Sequence, residues 1–354
     1  MTSRFFRCLT VCAATALASA AAEAQTKITY LLTSPVPTVA EAPHASVPAV
    51  MGYWKEGGLD VTVSPSPGST QATQLVVAGT AHFTMATVEP LIIARQKGAK
   101  VVAVYNHVRE PIYTIAVPTG SPITDMKQLK DKSIGVVSLA SGAVPFSKAM
   151  LQSIGIDPEK DVRWVPVGLG PQAAHALKEN RVDALGFWDW GYAILENAGY
   201  QFRHFTTEAT KNVLSLALVA NEDFVAANPD AVAAMARGIA KAALFTITDP
   251  EAAVKIHWRQ YPASKPTGIP EDQALKEAVH VLKARLVKYR VEGRSPPTWG
   301  AFTKAEWEST QNFLADSGLI QRKIDVAQYY NDRFLAKANE FDANKVIAEA
   351  KGYK

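Results

Sequence analysis

The sequence predicts an α/β protein with two lobes and a helical C-terminal extension. Short apolar segments of alternating polarity, typical of strands, are followed by turns rich in glycine or proline and then by helical segments. This order occurs over residues 28–105 and again over 124–187, whereas almost everything after residue 220 predicts helix. Repeated strand, turn and helix favour a mostly parallel sheet with helices on both faces.

The first half of the chain supplies the first series. Ile28, Tyr30 and Leu32 recur at every second position, as expected for a half-buried strand. Ser69 or Thr70 is predicted to cap the helix that ends near residue 78. The other elements predicted here are a helix at 40–51, a helix from Glu89-Pro90 to residue 97, and strands at 59–63, 81–85 and 101–105.

The second half repeats this order and then becomes helical. Helices are predicted at 124–130, 142–154 and 171–180, with strands at 133–137, 162–165 and 182–187. A strongly apolar segment at 214–220 predicts the last strand. Asn228-Pro229-Asp230 is a favourable helix start. Helices are then predicted at 221–227, 229–245, 250–259, 271–289, 304–315 and 326–350.

Residues 1–24 have the features of a secretory signal peptide. Arg4 and Arg7 precede an apolar run at 8–20, and Ala22-Glu23-Ala24 supplies an A-x-A cleavage site. We therefore expect a mature periplasmic protein that starts at Gln25. A lipoprotein signal ending at Cys12 is the alternative, but valine precedes that cysteine. The apolar run is also shorter than the ~18 residues that span a membrane.

The composition after cleavage describes an ordinary folded protein. Removing 24 of 354 residues leaves 354 − 24 = 330, which predicts about two domains at ~100–200 residues each. The net charge changes from +4 to +3, since the segment carries Arg4, Arg7 and Glu23. No basic block marks a nucleic-acid surface. Both cysteines lie within the signal, so the mature chain has no thiol for disulfides, nucleophiles or metal sites.

No motif in the sequence indicates catalysis. The chain has no G-x-G-x-x-G after a strand, no phosphate-binding P-loop, no H-E-x-x-H and no G-x-S-x-G nucleophile elbow. Its seven histidines lack the spacing of zinc ligands. We therefore expect no catalytic residue, no metal and no cofactor, and the protein is predicted not to be an enzyme.

Two motifs carry a resemblance to a known family. Residues 52–61, G-Y-W-K-E-G-G-L-D-V, resemble the G-Y-F-x-x-E-G-L-x-V signature of periplasmic solute-binding proteins for nitrate, sulfonates, taurine and the pyrimidine precursor of thiamine. Trp54 replaces the usual phenylalanine, and Gly58 is an additional glycine. Residues 119–136 are similar to the motif that opens the second lobe of type II binding proteins, with Asp131 in place of a glycine.

This resemblance implies the type II periplasmic-binding-protein fold. Lobe one would comprise residues 27–115 and 217–354, and lobe two residues 116–216. Two crossing strands would form a hinge that lets the lobes close around a ligand. The implied partners are a small-molecule solute and an inner-membrane ABC permease with its ATPase, and the protein is expected to be a monomer.

The predicted binding site follows from the strand ends. Open α/β sheets bind ligands outside the carboxyl ends of their strands, where this chain has polar or glycine-containing turns. Two of these turns begin helices whose free N–H groups could hold an anion, although Ser69 could also be a simple helix cap. The resemblance implies that the turn at 138–142 anchors the ligand in lobe two. The predicted ligand-binding residues are Ser34, Pro35, His44, Gly68, Ser69, Thr70, Thr87, Glu89, Ser138, Ser141, Gly142, Gly168, Trp188 and Asp189, with Asn106 as a weaker candidate.

The ligand class depends on two acids and two aromatic rings. Trp188 and Trp190 flank Asp189 directly after a strand, and an aromatic wall with one polar group is common in small-molecule sites. Core packing is the alternative for either ring. Glu89 and Asp189 are expected to face the cleft from opposite lobes, which favours N–H donors or positive charge, although Glu89 could merely stabilise its helix N-terminus. The candidates are a nitrogen heterocycle, a sulfonate or a related anion.

Two functions from different classes fit this fold. The favoured one is the solute-binding component of an ABC importer. The alternative is an enzyme that resembles thiamine pyrimidine synthase, a family with a C-C-C-F-C motif, an active-site histidine and a lysine bound to pyridoxal phosphate. The mature chain lacks the cysteines and carries an export signal, so the receptor is preferred.

Overall fold

The computed structural model describes residues 25–289 and 298–354. The predicted signal peptide, with both cysteines, lies outside the described residues. Within them the chain forms two five-stranded sheets covered by helices. We call each sheet with its helices a lobe. The domain boundaries given above remain a prediction.

The first sheet has the order β2-β1-β3-β10-β4. β1 pairs in parallel with β2 and β3, whereas β10 is antiparallel to β3 and β4. Its strands are β1 (Thr26–Leu31), β2 (Leu59–Ser64), β3 (Phe83–Thr87), β4 (Val101–Val108) and β10 (Leu216–Asn221).

The second sheet repeats this arrangement in the order β7-β6-β8-β5-β9. Its strands are β5 (Tyr113–Pro118), β6 (Lys132–Val136), β7 (Val162–Pro166), β8 (Ala184–Trp188) and β9 (Phe202–Phe205). Here β5 is the antiparallel strand. In each sheet the antiparallel strand is therefore the one that arrives from the other lobe, since β5 follows β4 and β10 follows β9. β9 has no sequence signal, because its four residues show no alternation.

Helices cover the sheets and form the C-terminal part. They are α1 (Ser46–Val50), α2 (Tyr53–Glu56), α3 (Ser69–Val77), α4 (Val88–Gln96), α5 (Ala143–Gln152), α6 (Pro171–Lys178), α7 (Asp189–Asn197), α8 (Glu222–Ala227), α9 (Pro229–Thr248), α10 (Pro250–Gln260), α11 (Glu271–Leu286), α12 (Lys304–Asp316), α13 (Leu335–Ala338) and α14 (Ala343–Lys351), with short 3₁₀ helices at Val39–His44, Met126–Leu129, Glu208–Thr210, Pro262–Ser264 and Val326–Gln328. α7 was not predicted.

Three sequence expectations are corrected. The helix predicted at 40–51 is divided into Val39–His44 and α1, with Pro43 in the first part and Pro48 in the second, because proline cannot continue the helical hydrogen bonds. The helix predicted at 326–350 is three short pieces. Asp342 starts the last of these by accepting the N–H groups of Asn344 and Lys345.

The third correction concerns the start of α3. Gly68 is the N-cap, without a side-chain cap, and Ser69 is already inside the helix. The Ser69 hydroxyl instead accepts the backbone N–H of Thr87 at 3.2 Å. This bond ties the start of α3 to the end of β3.

The unusual Trp54 of the signature is accommodated by α9. Its ring is buried, and its Nε1 donates to the Met235 carbonyl at 3.3 Å. Gly238 leaves the space for the indole, since a Cβ there would lie 2.7 Å from Trp54 Nε1. Although α9 is long and apolar enough to span a membrane, 78% of its apolar window is buried within the protein. α9 is therefore a core helix, and its Gly238 leaves the space that the larger Trp54 ring needs.

The lobes touch directly at their turns, through backbone and side-chain atoms. Thr70 N–H donates to the Ala140 carbonyl at 3.1 Å, and Ser138 Oγ donates to the Pro67 carbonyl at 2.8 Å. Gly142 lies against Thr87 and Ser69 of the first lobe, so that a Cβ on it would be 3.1 Å from the Ser69 Cβ and closer still to the Thr87 Oγ1. The two turns predicted to hold the ligand are thus in contact with each other.

We predict that Gly142→Ala disfavours this closed arrangement. Gly142 has an ordinary helical φ of −64°, so alanine adds no backbone strain, and its methyl group meets Thr87 and Ser69 of the first lobe as well as Tyr113 of its own lobe. Small-angle scattering should show a larger radius of gyration for the variant than for the wild type. Gly120→Ala is the matched control, because no atom lies within 4 Å of its added Cβ. Equal radii for all three proteins would contradict the prediction.

Candidate functional site

A small cavity lies between the lobes, where the strands of both sheets end. Its volume is about 30 Å³, room for a water molecule or two rather than an organic solute. A ligand therefore needs the lobes to separate before it can enter. The lining residues come from both lobes and from α11: Thr33, Ser34, Glu41, His44, Met85, Ile112, Tyr113, Ser141, Trp188, Trp190, Leu216 and Arg285.

Three aromatic rings form one wall of the cavity. Trp188 ends β8 and Trp190 lies in the first turn of α7, with ring centroids 4.9 Å apart and planes at 71°. Tyr113, from β5, lies 6.3 Å from Trp188. All three are buried. A planar ligand can pack against these faces, and edge-to-face contact fixes the rings without a ligand.

Glu41 is the carboxyl group of the cavity, and the sequence analysis missed it. Ser34 Oγ donates to its Oε1 at 2.7 Å, and the Thr38 N–H donates to its Oε2 at 2.9 Å. Burial raises the pKa of Glu41 to about 7, against the opposing effect of these two hydrogen bonds. Near neutral pH the group is therefore partly protonated. The T-x-x-E spacing from Thr38 to Glu41, a capping-box pattern, was the signal that could have found it.

His44 lines the cavity as an uncharged ring. Its Nδ1 is 2.7 Å from Tyr30 Oη, and it meets His107 edge to face at 5.1 Å. His107 Nε2 in turn lies 2.5 Å from Tyr289 Oη. Burial lowers the pKa of His44 to about 3, and the positive charge of Arg285 adds to the effect. His44 therefore offers hydrogen bonding without charge at physiological pH.

Among the residues that the structure describes, the strong charges at the cavity are those of Arg285 and Asp189, and they are paired with each other. Arg285, in the last turn of α11, donates from Nε to Asp189 Oδ2 at 2.8 Å and from Nη2 to Oδ1 at 2.7 Å. Both side chains are less than 8% exposed. Asp189 also accepts the N–H of Trp190 at 2.8 Å. Sequence reasoning missed Arg285, because α11 also carries exposed lysines such as Lys283 and resembles a solvated face.

The predicted role of the two acids is corrected by these contacts. Asp189 does not present a free carboxylate, since both oxygens are engaged by Arg285. Glu89 is buried at the start of α4 and does not line the cavity. Burial raises the pKa of Glu89 to about 7 as well. The two acids therefore do not face a ligand from opposite lobes as expected, and Glu41 is the acid at the site.

The other predicted residues fall into two groups. Ser34, His44, Ser141 and Trp188 line the cavity. The rest lie outside its lining: Pro35, Gly68, Ser69, Thr70, Thr87, Glu89, Ser138, Gly142, Gly168 and Asp189. The Thr70 N–H, which was expected to face an anion, is used by Ala140 of the other lobe. Apart from the two acids, whose expected role is corrected above, the participation of these residues in ligand binding stays a prediction for the open form.

Comparison with known proteins gives a family and a fold. The family model described as NMT1/THI5 like matches residues 47–253. A 4-amino-5-hydroxymethyl-2-methylpyrimidine phosphate synthase of Saccharomyces cerevisiae is 26% identical over 61% of this chain, and the matched part spans 65% of that relative. A formylaminopyrimidine-binding protein of Halalkalibacterium halodurans is 24% identical over 58% of this chain and 62% of its own length.

Solved structures share the whole architecture. The nitrate-binding protein NrtA from Synechocystis has a TM-score of 0.64 at 14% identity, covering 93% of this chain and 99% of its own. The periplasmic sulfonate-binding protein of a putative sulfonate ABC transporter from Methylobacillus flagellatus has a TM-score of 0.58 at 22% identity. The match covers 89% of this chain and 94% of that protein. These likenesses confirm the predicted periplasmic-binding-protein fold.

We predict that Glu41 makes stability depend on pH. Folding raises the pKa of Glu41 from 4.5 to about 7. The group therefore contributes on the order of 3 kcal/mol to the free energy of unfolding below pH 4.5, and this contribution is lost as the pH rises through 7. The free energy of unfolding of the wild type relative to Glu41→Gln should therefore fall between pH 5 and pH 8. Urea denaturation at both pH values measures this difference. The exposed Glu340→Gln serves as the control, and a difference independent of pH would refute the prediction.

Proposed function

The chain belongs to the NMT1/THI5-like family, and on that premise we propose that it is a periplasmic solute-binding protein. It captures a small organic solute between its lobes and delivers it to an inner-membrane ABC permease with its ATPase. The observation that carries this proposal is the cavity itself. Its lining comes from both lobes, so a bound solute stabilises the closed form in preference to the open one.

The charges of the cavity favour an uncharged or weakly basic solute. Asp189 cancels Arg285, His44 is neutral, and Glu41 is partly protonated. A bare anion would meet no uncompensated positive charge among the residues described. A planar nitrogen heterocycle, in contrast, can pack against Trp188 and donate an N–H group to Glu41.

The named relatives support the same ligand class. One is a formylaminopyrimidine-binding protein and another is a pyrimidine phosphate synthase. Both names refer to an aminopyrimidine, a planar ring with N–H donors. We therefore place an aminopyrimidine-like heterocycle ahead of a sulfonate or related anion, which the fold neighbours bind.

The competing function is an enzyme similar to the pyrimidine synthases. Such enzymes hold pyridoxal phosphate on a lysine, and no lysine lines the cavity of this chain within the residues described. The nearby Lys288 donates instead to the Pro111 carbonyl at 2.5 Å. The residues present therefore do not fit this cofactor, which supports the receptor over the enzyme.

We predict that Glu41 and Trp188 decide affinity for such a solute. A thermal-shift screen with aminopyrimidines identifies a ligand, since a hundredfold excess over Kd stabilises by about 2.7 kcal/mol. Glu41→Gln should then weaken binding about ten- to hundredfold, because the uncharged amide oxygen of glutamine is a weaker acceptor than the carboxylate in a charge-assisted hydrogen bond. Trp188→Ala should weaken it through lost contact area with the ring.

Isothermal titration of each variant measures these effects. Glu89→Gln is the matched control for Glu41→Gln, because Glu89 is also buried with a pKa raised to about 7 but lies outside the cavity. It should bind as the wild type does. Equal losses of affinity in both glutamine variants, or no loss in either, would show that Glu41 does not bind the solute.

A further inference from the structure

We propose that Asp189 sets the charge selectivity of the cavity, acting as the built-in counter-ion of Arg285 and thereby excluding anions. This inference rests on the proposed solute-binding function, because it assigns the chemical class that the same site accepts. Asp189 is a selectivity residue here rather than a group that contacts the solute.

The geometry places a guanidinium at the wall of the site. Arg285 lines the cavity and is 3% exposed, so its charge has little contact with water. Nε and Nη2 are bound to Asp189, whereas Nη1 makes no hydrogen bond to any residue that the structure describes. One donor of a buried cation thus remains open beside the cavity.

Within the described residues, Arg285 has no second counter-ion that is fully charged near neutral pH. Besides Asp189, the titratable groups near enough to interact with it are Glu41, His44, His107, Tyr113 and Tyr289. Burial keeps both histidines neutral and raises the pKa of the tyrosines, and it favours the protonated form of Glu41. Asp189 is therefore the main counter-ion of the guanidinium, and Glu41 adds only its ionised fraction.

Removing that carboxylate should convert the site to an anion site. A buried charge that loses its partner is strongly unfavourable, and an anion from solution can restore the balance. Asparagine at position 189 keeps the side-chain size, and its Oδ1 can still accept the N–H of Trp190. The cavity of about 30 Å³ has room for only a water molecule or two, so an anion, like any other solute, enters when the lobes separate.

The test uses nitrate and methanesulfonate as probes, at an ionic strength held constant with gluconate. Isothermal titration should show that Asp189→Asn binds at least one of them ten times or more tightly than the wild type does. Glu306→Gln is the matched control. It removes the carboxylate from another two-bond arginine pair, Arg109–Glu306, that lies outside the cavity.

Two more variants keep the inference testable if Asp189→Asn folds poorly. Asp189→Ser removes the charge but retains a side chain suited to a helix N-terminus, and probe anions should raise its urea midpoint. The double variant Asp189→Leu with Arg285→Met removes both charges and should gain no anion affinity. The inference is overturned if no single variant gains affinity, or if Glu306→Gln and the double variant gain as much.

The anion experiment separates this inference from the proposed function, because it needs no natural solute. A gain of anion binding in Asp189→Asn supports the inference even if no heterocycle binds the wild type. If a heterocycle binds the wild type but Asp189→Asn takes no anion, the proposed function stands and the inference is wrong.

Discussion

The buried pair between Arg285 and Asp189 is the interaction on which the site depends. It joins α11, one of the helices of the C-terminal part, to the start of α7 in the second lobe, and both side chains are almost fully removed from water. Asp189 also accepts the N–H of Trp190, and its own N–H donates to the Ile112 carbonyl at 3.0 Å. The carboxylate of Asp189 thus positions an aromatic wall and neutralises the cavity, and its backbone N–H holds the segment that leads into β5. Breaking such a pair on one side only leaves an expensive unpaired charge.

A second constraint is steric and concerns the closeness of the lobes. Gly68 packs on the backbone of Ala140 and Ser141, where a Cβ would lie 2.6 Å from the Ala140 carbonyl oxygen. Gly142 occupies the corresponding position on the second lobe. The backbone hydrogen bond from the Thr70 N–H to the Ala140 carbonyl uses a donor that would otherwise be free at a helix N-terminus. Closure therefore shields the cavity through contacts within the protein, and in the proposed function a bound solute adds to the preference for the closed form.

The sequence was sufficient for the fold, because strand, turn and helix alternate strongly from Ile28 onward and the G-Y-W-K-E-G-G-L-D-V segment is a specific signature. Trp188 and Ser141 were found because they directly follow strands. Arg285 could not be found in this way, since its partner lies 96 positions away and nothing local distinguishes it from its exposed neighbours. Glu41 was hidden inside a predicted helix, and its role becomes visible only when Ser34 and the cavity are in place.

The central claim is that this cavity accepts an uncharged or weakly basic planar heterocycle and rejects anions. The most direct measurement is mass spectrometry of the small molecule that the native protein retains through purification and releases on denaturation. The account predicts a nitrogen heterocycle with at least one N–H donor. A retained sulfonate, carboxylate or nitrate would contradict it.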